Sequence, residues 1–272
     1  MNLSISSFFA RKKQKKAILA DTNITSLIFR KYESCGKRLF LLDYDGTLIP
    51  FSDTPKDAIP DKTLIKTLTA LTLDSRNTVA IVSGRSRVFL DFYFADMPLI
   101  LIAEHGTFIK KIHASWEPVI DEEYPWKRSA LYMAETARLM VPLSEIEEKE
   151  SSVAWHYRKC DPGIAEIYKN ILIRSVLDSP IADQVRIIKG NKVIEIQEAK
   201  NNKGTAGLQI VNSNKFDFIL CAGDDTTDED LFAVLEEAFT IKIGKGGTAA
   251  RYYMRTPEDF RTFLSKFSRL II

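Results

Sequence analysis

Residues 38–48 read RLFLLDYDGTL, an apolar run that stops abruptly at two aspartates, Asp43 and Asp45, separated by one residue. A continuous apolar run bounded by turn residues, with no polar alternation, is the pattern of a short strand buried on both faces. Asp43, Tyr44, Asp45 and Gly46 then lie just past its C-terminal end. In an open parallel sheet that edge is where ligands bind, so the run predicts both carboxylates facing one crevice. Asp-Gly is also a common turn dipeptide, and the choice between a site and a plain turn rests on the rest of the chain.

The 272 residues are 45% apolar, enough for a buried core in one large domain or two modest ones. The 38 basic and 36 acidic residues nearly cancel, so net charge makes no case for nucleic acid, a membrane surface or an acidic partner. Three widely separated cysteines, Cys35, Cys160 and Cys221, fit neither a disulfide framework nor a zinc site, and a reducing cytoplasm is the expected compartment. No apolar run approaches the roughly 20 residues of a membrane span. The N-terminus lacks the charged-then-apolar order of a secretory signal. Its basic cluster RKKQKK, residues 11–16, reads as a solvated arm.

Outward from the opening stretch, a short helix is expected before it, from Asp21 to about Lys37 with Gly36 as a stop. A loop containing Pro50, Pro55 and Pro60 follows it, long enough to cover the site. A helix is then expected over Asp61 to Asp74, with Leu64, Ile65, Leu68 and Leu71 at helical spacing. Thr78 to Val82 is a second buried strand, ending in Ser83-Gly84-Arg85. A hydroxyl and a guanidinium brought to the same sheet edge as two carboxylates make a site for an oxyanion, with Gly84 permitting close backbone approach. After a helix from about Ser86 to Phe94, Leu99 to Ala103 is a third strand, ending in Glu104-His105-Gly106 near the crevice.

From about Ile109 to Lys200 the alternation of strand and helix gives way. Strand-like pieces (Thr107 to His113, Ser152 to Tyr157, Val193 to Gln197) and two helical patterns (Trp126 to about Met140, Pro162 to about Leu177) predict an inserted α+β domain, a lid or cap. Glu147, Lys149, His156, Arg158, Lys192 and Glu195 lie at or beside its strand ends and are the candidates for its inner face.

The alternation then resumes. Lys203-Gly204 opens a helix, and Phe216 to Ala222 is another strand, ending in GDDTTDED at 223–230. Five acids within seven positions repel one another and call for a cation. Hard oxygen ligands suit Mg²⁺, while some of the acids favour the positive end of a helix expected over Asp228 to Ala238. Phe239 to Ile243 is a last strand. The Gly244-Lys245-Gly246-Gly247-Thr248 that follows lacks the order of a phosphate-binding P-loop. Thr256-Pro257-Glu258-Asp259 has the capping signature of a final helix.

Four strand ends thus bring together two carboxylates, a hydroxyl with an arginine, a lysine and an acidic cluster, a set suited to phosphoryl transfer. One carboxylate can attack phosphorus and form an aspartyl phosphate. The other can protonate the leaving alkoxide and later deprotonate water. Mg²⁺ offsets the repulsion between anionic nucleophile and anionic phosphate, with Lys203 and Ser83 on the phosphoryl oxygens.

DYDGT at 43–47, Ser83-Gly84-Arg85, Lys203-Gly204 and GDDTTDED resemble the four motifs of haloacid dehalogenase-type phosphatases. The form of the first and last, together with AEHG at 103–106, is similar to the trehalose-6-phosphate phosphatase family. Glu147-Glu148-Lys149 and His156-Tyr157-Arg158 resemble that family's Glu-x-Lys and His-Tyr-Arg segments, associated with gripping the disaccharide. The resemblance runs from about Arg30 onward. It implies a Rossmann-like α/β parallel-sheet core (36–108 and 201–272), an inserted α+β cap domain (109–200), and a basic arm with a lead-in helix ahead of them (1–35). It further implies Asp43 as nucleophile, Asp45 as general acid/base, and Ser83 and Lys203 as phosphate stabilisers. Mg²⁺ would be held by Asp43, the Asp45 main-chain carbonyl and Asp224, with Asp225 or Asp228 in support. Arg85, Glu104, His105, Glu147, Lys149, His156, Arg158, Lys192 and Glu195 would contact substrate.

The implied activity is Mg²⁺-dependent hydrolysis of trehalose 6-phosphate, with a trehalose-6-phosphate synthase as candidate partner. Two other readings stand beside it. One is another capped sugar phosphatase, of the sucrose-phosphate or mannosyl-3-phosphoglycerate type. The other is a silent module that binds sugar phosphate and regulates a partner.

Overall fold

The apolar run of the opening stretch is buried because both faces of the strand it forms are covered. In a computed structural model, which describes residues 17–18, 22–51, 58–119 and 123–270, Arg38–Asp43 is a strand buried at every position. Phe40 and Leu42 enter one apolar layer, and Leu39 and Leu41 the layer opposite. Each such side chain, fully buried, contributes about 1.5–3 kcal/mol. The basic cluster at 11–16 and Pro55 lie outside the described residues.

In chain order the large sheet contains β1 (Ala17–Ile18), β2 (Arg38–Asp43), β3 (Asn77–Val82), β4 (Ile100–Ala103), β5 (Phe108–Lys110) and β6 (Trp116–Pro118). After the cap come β11 (Phe218–Gly223), β12 (Phe239–Ile243) and β13 (Tyr252–Met254). The spatial order is β1-β13-β12-β11-β2-β3-β4-β5-β6. All neighbours from β1 to β4 are parallel, and β5 and β6 turn back antiparallel. Helices α1 (Thr22–Ser34), α2 (Lys62–Leu73), α3 (Arg87–Phe94) and α8 (Pro257–Arg269) supply the layer around Phe40. Helices α6 (Lys203–Ser213) and α7 (Glu229–Val234) supply the other. Local signals set their ends: the side chains of Asp61, Ser86, Asn202 and Thr256 accept the backbone N–H three residues on, the N-cap arrangement.

The second, four-stranded antiparallel sheet is ordered β7 (Glu145–Glu148), β8 (Ser152–His156), β10 (Val193–Glu198), β9 (Val185–Gly190). Helices α4 (Lys127–Met140) and α5 (Pro162–Leu177) cover one of its faces. Ala130, Ala134 and Ala137 form the buried stripe of α4, small enough to let the helix settle on Trp155, Ile194 and Ile196. The other face, carrying Glu147, Ala154 and Glu195 in one cross-strand row, is left for the crevice.

Two expected elements differ. Thr107 to His113 is not a cap strand: Phe108–Lys110 pairs antiparallel with β4 and extends the large sheet, because the turn at Glu104–Gly106 folds the chain straight back. The helix expected to reach Ala238 ends at Val234, where a turn closed by Ala238 N–H on the Leu235 carbonyl feeds the chain into β12. Among the described residues no helix is long and apolar enough to cross a membrane. The three cysteines are free and buried.

Candidate active site

After β2 the chain closes a tight loop. The Tyr44 carbonyl accepts from Leu48 and Ile49 N–H (2.9 and 3.1 Å), and Gly46 N–H donates back to the Ile49 carbonyl at 2.8 Å. Gly46 has φ +80°, and a Cβ there would lie 2.3 Å from Asp224 Oδ2. The loop after β2 and the acidic loop after β11 are therefore pressed together, as their neighbouring parallel strands require.

Lys203 joins them. Its Nζ lies 2.6 Å from Asp43 Oδ1 and 2.8 Å from Asp228 Oδ1, and all three side chains are 5% exposed or less. Lys203 is delivered there by the N-terminus of α6, where Asn202 and Thr205 form a reciprocal cap. Asp228 Oδ2 accepts the N–H groups of Asp224 and Asp225 (2.9 and 3.0 Å), so one carboxylate both orders the acidic loop and meets the lysine. Burial, and then the neighbouring Asp228, push the Asp43 carboxyl well above the usual carboxylate range. Burial with Asp228 and Asp225 beside it raises Asp224 to about 7. Burial also works against the charged form of Lys203, but Asp228 and Asp43 outweigh it and hold the ammonium firmly protonated. Asp225 goes the other way: against its burial, Lys203, His105 and hydrogen bonds from Thr227 keep it at about 2.

Asp43, Asp224 and Asp228 each offer an oxygen, and these lie within 4.8 Å of one another. Asp43 Oδ2 is buried with no hydrogen-bond partner, an acceptor left for something positive. Carboxylates held in mutual repulsion, all with hard oxygen donors, fit Mg²⁺. Asp225 is instead committed to Thr227 through its N–H and Oγ1 (2.7 and 2.6 Å).

At the neighbouring strand end, Ser83 is fully buried and its Oγ accepts Arg85 N–H at 3.1 Å. Arg85 forks onto Asp45, Nε to Oδ2 at 2.7 Å and a second nitrogen to Oδ1. A Cβ on Gly84 would lie 2.3 Å from His105 Nε2, so glycine here is a packing requirement. Glu104, His105 and Gly106 have consecutive positive φ values, +48°, +54° and +105°. The left-handed conformation costs a residue other than glycine about 1–2 kcal/mol. His105, expected near the crevice, is 9% exposed.

The cap meets these turns from above. Lys149 Nζ donates to the Gly84 carbonyl (3.1 Å) and to Glu195 Oε1 (2.9 Å). Ser152 Oγ donates to the same oxygen at 2.6 Å, and His105 Nε2 is 3.4 Å from Glu195 Oε2. Although Glu195 is buried, Lys149 and then His105 hold its carboxyl well below the usual range. Glu147 pairs with His156 at 2.9 Å, and that hydrogen bond, chiefly, lowers its carboxyl. Thus Lys149, Glu195 and His105 come together directly over the Ser83–Arg85 turn. Glu104 lies under the cap but gives its carboxylate to the cap backbone at Glu150 and Ser151. Arg158 is exposed and donates to the Asn191 carbonyl. Lys192 is exposed at a left-handed turn position.

Sequence reasoning misses several supporting residues. Lys242 Nζ holds the carbonyls of Asp224 and Asp225; a lone charge inside the apolar strand FTIKI was the available signal. Arg186 of β9 pairs with Asp230 of α7 at 2.6 Å, tying cap to core. Ser151 and Ser152 carry no sequence signal beyond polarity.

The family model described as trehalose-phosphatase matches residues 41–254. A bifunctional trehalose-6-phosphate synthase/phosphatase of Thermoproteus tenax is 35% identical over 265 residues, 96% of this chain and 36% of that protein. A trehalose-phosphatase of Schizosaccharomyces pombe is 36% identical over 230 residues, 78% of this chain and 28% of that protein. The chain therefore spans about a third of the length of the curated relatives it matches. The solved C-terminal domain of C. albicans trehalose-6-phosphate phosphatase superposes with a TM-score of 0.87 at 27% identity, covering 95% of this chain and 99% of that one. With the parallel-sheet core, the acidic strand ends and the match over residues 41–254 in agreement, the chain belongs to the trehalose-phosphatase family.

Proposed function

We propose that this chain is a Mg²⁺-dependent phosphatase that hydrolyses trehalose 6-phosphate to trehalose and phosphate. The observation that carries this reading is Lys203 seated between Asp43 and Asp228 at the sheet edge, beneath a cap whose Lys149 and Glu195 pair with each other and with the core turns at Gly84 and His105. Asp43, the Asp45 main-chain carbonyl, Asp224 and Asp228 would hold the metal. A bound Mg²⁺ supplies charge neutralisation for the phosphoryl oxygens and for the nucleophile.

The remaining steps belong to the chain's own groups. An Asp43 carboxylate oxygen attacks phosphorus, the bond from phosphorus to the sugar oxygen breaks, and the Asp45 carboxyl gives that oxygen its proton. Asp45 acts as an acid only once Arg85 releases it, and an incoming sugar phosphate is the alternative acceptor that would draw Arg85 away. Asp45 then takes a proton from water, which attacks the aspartyl phosphate, releases inorganic phosphate and restores Asp43. Lys203 and Ser83 steady the phosphoryl oxygens through both steps. Glu147 exchanges its pair with His156, and Lys149 and Glu195 their mutual pair, for sugar hydroxyls, with His105, Arg158 and Lys192 around them. A synthase domain accompanies the phosphatase in the Thermoproteus tenax relative, which makes a trehalose-6-phosphate synthase the proposed partner. The free thiols suit a cytoplasmic setting.

Phosphate release from trehalose 6-phosphate, sucrose 6-phosphate and mannosyl-3-phosphoglycerate, with and without Mg²⁺, tests the reading. Trehalose 6-phosphate should give the highest kcat/KM, by about tenfold or more, and chelation should abolish turnover. A higher value for another substrate would reassign the specificity. No release from any of them would favour the silent binding module.

A further inference from the structure

The cap reaches the core through the tip of one hairpin, and a core carboxylate holds that tip. Between β7 and β8 the chain turns at Lys149–Ser152, closed by Lys149 N–H on the Ser152 carbonyl at 3.0 Å. Two successive backbone N–H groups of this turn point at Glu104: Ser151 N–H donates to Oε2 at 2.9 Å and Glu150 N–H to Oε1 at 3.4 Å. Ser151 Oγ adds a third bond to Oε2 at 2.7 Å, and lies 2.9 Å from Thr107 Oγ1. Successive N–H groups in a turn form an anion-binding nest, and here the anion is a side chain of the core, 4% exposed.

The core spends unusual backbone geometry to present it. Glu104 and His105 both sit at positive φ, pinned from behind by Glu104 N–H on the Arg85 carbonyl and His105 N–H on the Ser83 carbonyl, 3.0 Å each. Glu104 is therefore fixed to the Ser83–Arg85 turn on one side and to the cap hairpin on the other. The residue preceding the clasped pair is Lys149, whose Nζ reaches the Gly84 carbonyl and Glu195. Arg87, at the start of α3, pairs with the Glu150 carboxylate of the same turn.

We infer that Glu104 is a positioning residue: its carboxylate sets the register of the 149–151 turn, and so of Lys149 and Glu195, against the phosphate-binding turn. It acts on substrate through the hairpin and does not touch the sugar. This rests on the trehalose 6-phosphate reading above. It separates two demands. A small phosphate ester needs only Asp43, Lys203 and their neighbours, whereas the disaccharide phosphate needs the cap at a fixed height over them.

The experiment compares trehalose 6-phosphate with p-nitrophenyl phosphate, at saturating Mg²⁺, for the wild type, Glu104→Gln, Ser151→Ala and the double variant. Glu104→Gln should raise KM for trehalose 6-phosphate by about tenfold, the range for losing a hydrogen bond to a charged group. It should leave kcat/KM for p-nitrophenyl phosphate within about twofold. Ser151→Ala, a small change on the cap alone, should shift KM in the same direction by less, and the double variant should be no worse than Glu104→Gln. Equal losses on both substrates would mean that Glu104 merely supports the fold, and would overturn the inference. So would a neutral Ser151→Ala, which would make Glu104 a direct sugar contact. If the wild type hydrolyses p-nitrophenyl phosphate but not trehalose 6-phosphate, the proposed function itself fails and the inference falls with it.

Discussion

At the sheet edge, Asp43, Lys203 and Asp228 are almost wholly buried and fixed by strand ends, a capped helix start and backbone N–H groups. On the cap, Glu147 and Arg158 are exposed and His156 is half-buried, while Lys149 and Glu195 are buried against each other and the core turns beneath them. The first arrangement is preorganised: one ammonium already holds two carboxylates in place before any ligand arrives, and burial makes each charge matter more. The second is a set of pairs that a polyhydroxylated ligand can replace one bond at a time. The difference assigns reaction and selection to separate regions. Variants at Asp43, Lys203 and Asp228 should damage turnover of every phosphate ester, and variants in the cap, or at the core carboxylate that clasps it, only that of the sugar.

The largest effect is expected from Lys203→Met, which leaves Asp43 and Asp228 buried side by side with no cation between them. Breaking a buried pair in this way costs about 3–5 kcal/mol of stability, and loss of a stabilising charge at the phosphoryl group costs about 10²–10³ in kcat. Thermal melts and kcat on both trehalose 6-phosphate and p-nitrophenyl phosphate measure it. A loss confined to the sugar substrate would break the division.

Glu195→Gln should act the other way, raising KM for trehalose 6-phosphate by roughly tenfold with p-nitrophenyl phosphate little changed. It also carries a pH signature. The folded-state carboxyl of Glu195 is held below its ordinary value of 4.5 by Lys149 and His105. Its stabilising contribution is therefore fully present above that value and is lost as pH falls through the lower folded one. The difference in melting temperature between wild type and Glu195→Gln should stay constant from neutral pH down to about 5 and shrink only below 4.5. A difference that vanished between pH 6 and 7 would contradict that pairing. The smallest effect is expected from Arg158→Ala, whose exposed guanidinium donates to the Asn191 carbonyl; kcat/KM should change by no more than about twofold. A larger change would extend the sugar grip to the outer end of β8.

Much of this was legible in the sequence, and the limits have physical causes. β2, β3 and β11 were readable because strands buried on both faces must be continuously apolar. Asp43 and Asp224 were readable because parallel strands deliver their next residues to one edge, and Lys203 because Lys-Gly opens the helix on which the chain returns from the cap. By contrast, Glu145–Glu148 gives no strand signal: it is an edge strand of three acids and Ile146, the one residue of the four that packs on the cap core. Phe108–Lys110 reads as a strand, but its partner is set by the left-handed turn before it, which no periodicity records. The carboxylate of Glu104 bonds to Ser151, 47 residues away, a pairing that only the closed cap creates.

The central claim, that Asp43 is the nucleophile of a sugar-phosphate phosphatase, is tested most directly by phosphate release from trehalose 6-phosphate with Mg²⁺ by wild type and Asp43→Asn side by side. Asp43→Asn keeps the shape of the residue and leaves Lys203 its partner Asp228. The variant should melt as a folded protein and release no phosphate above background, a loss of at least about 10⁴-fold. Turnover near the wild-type rate in the folded variant would contradict the account.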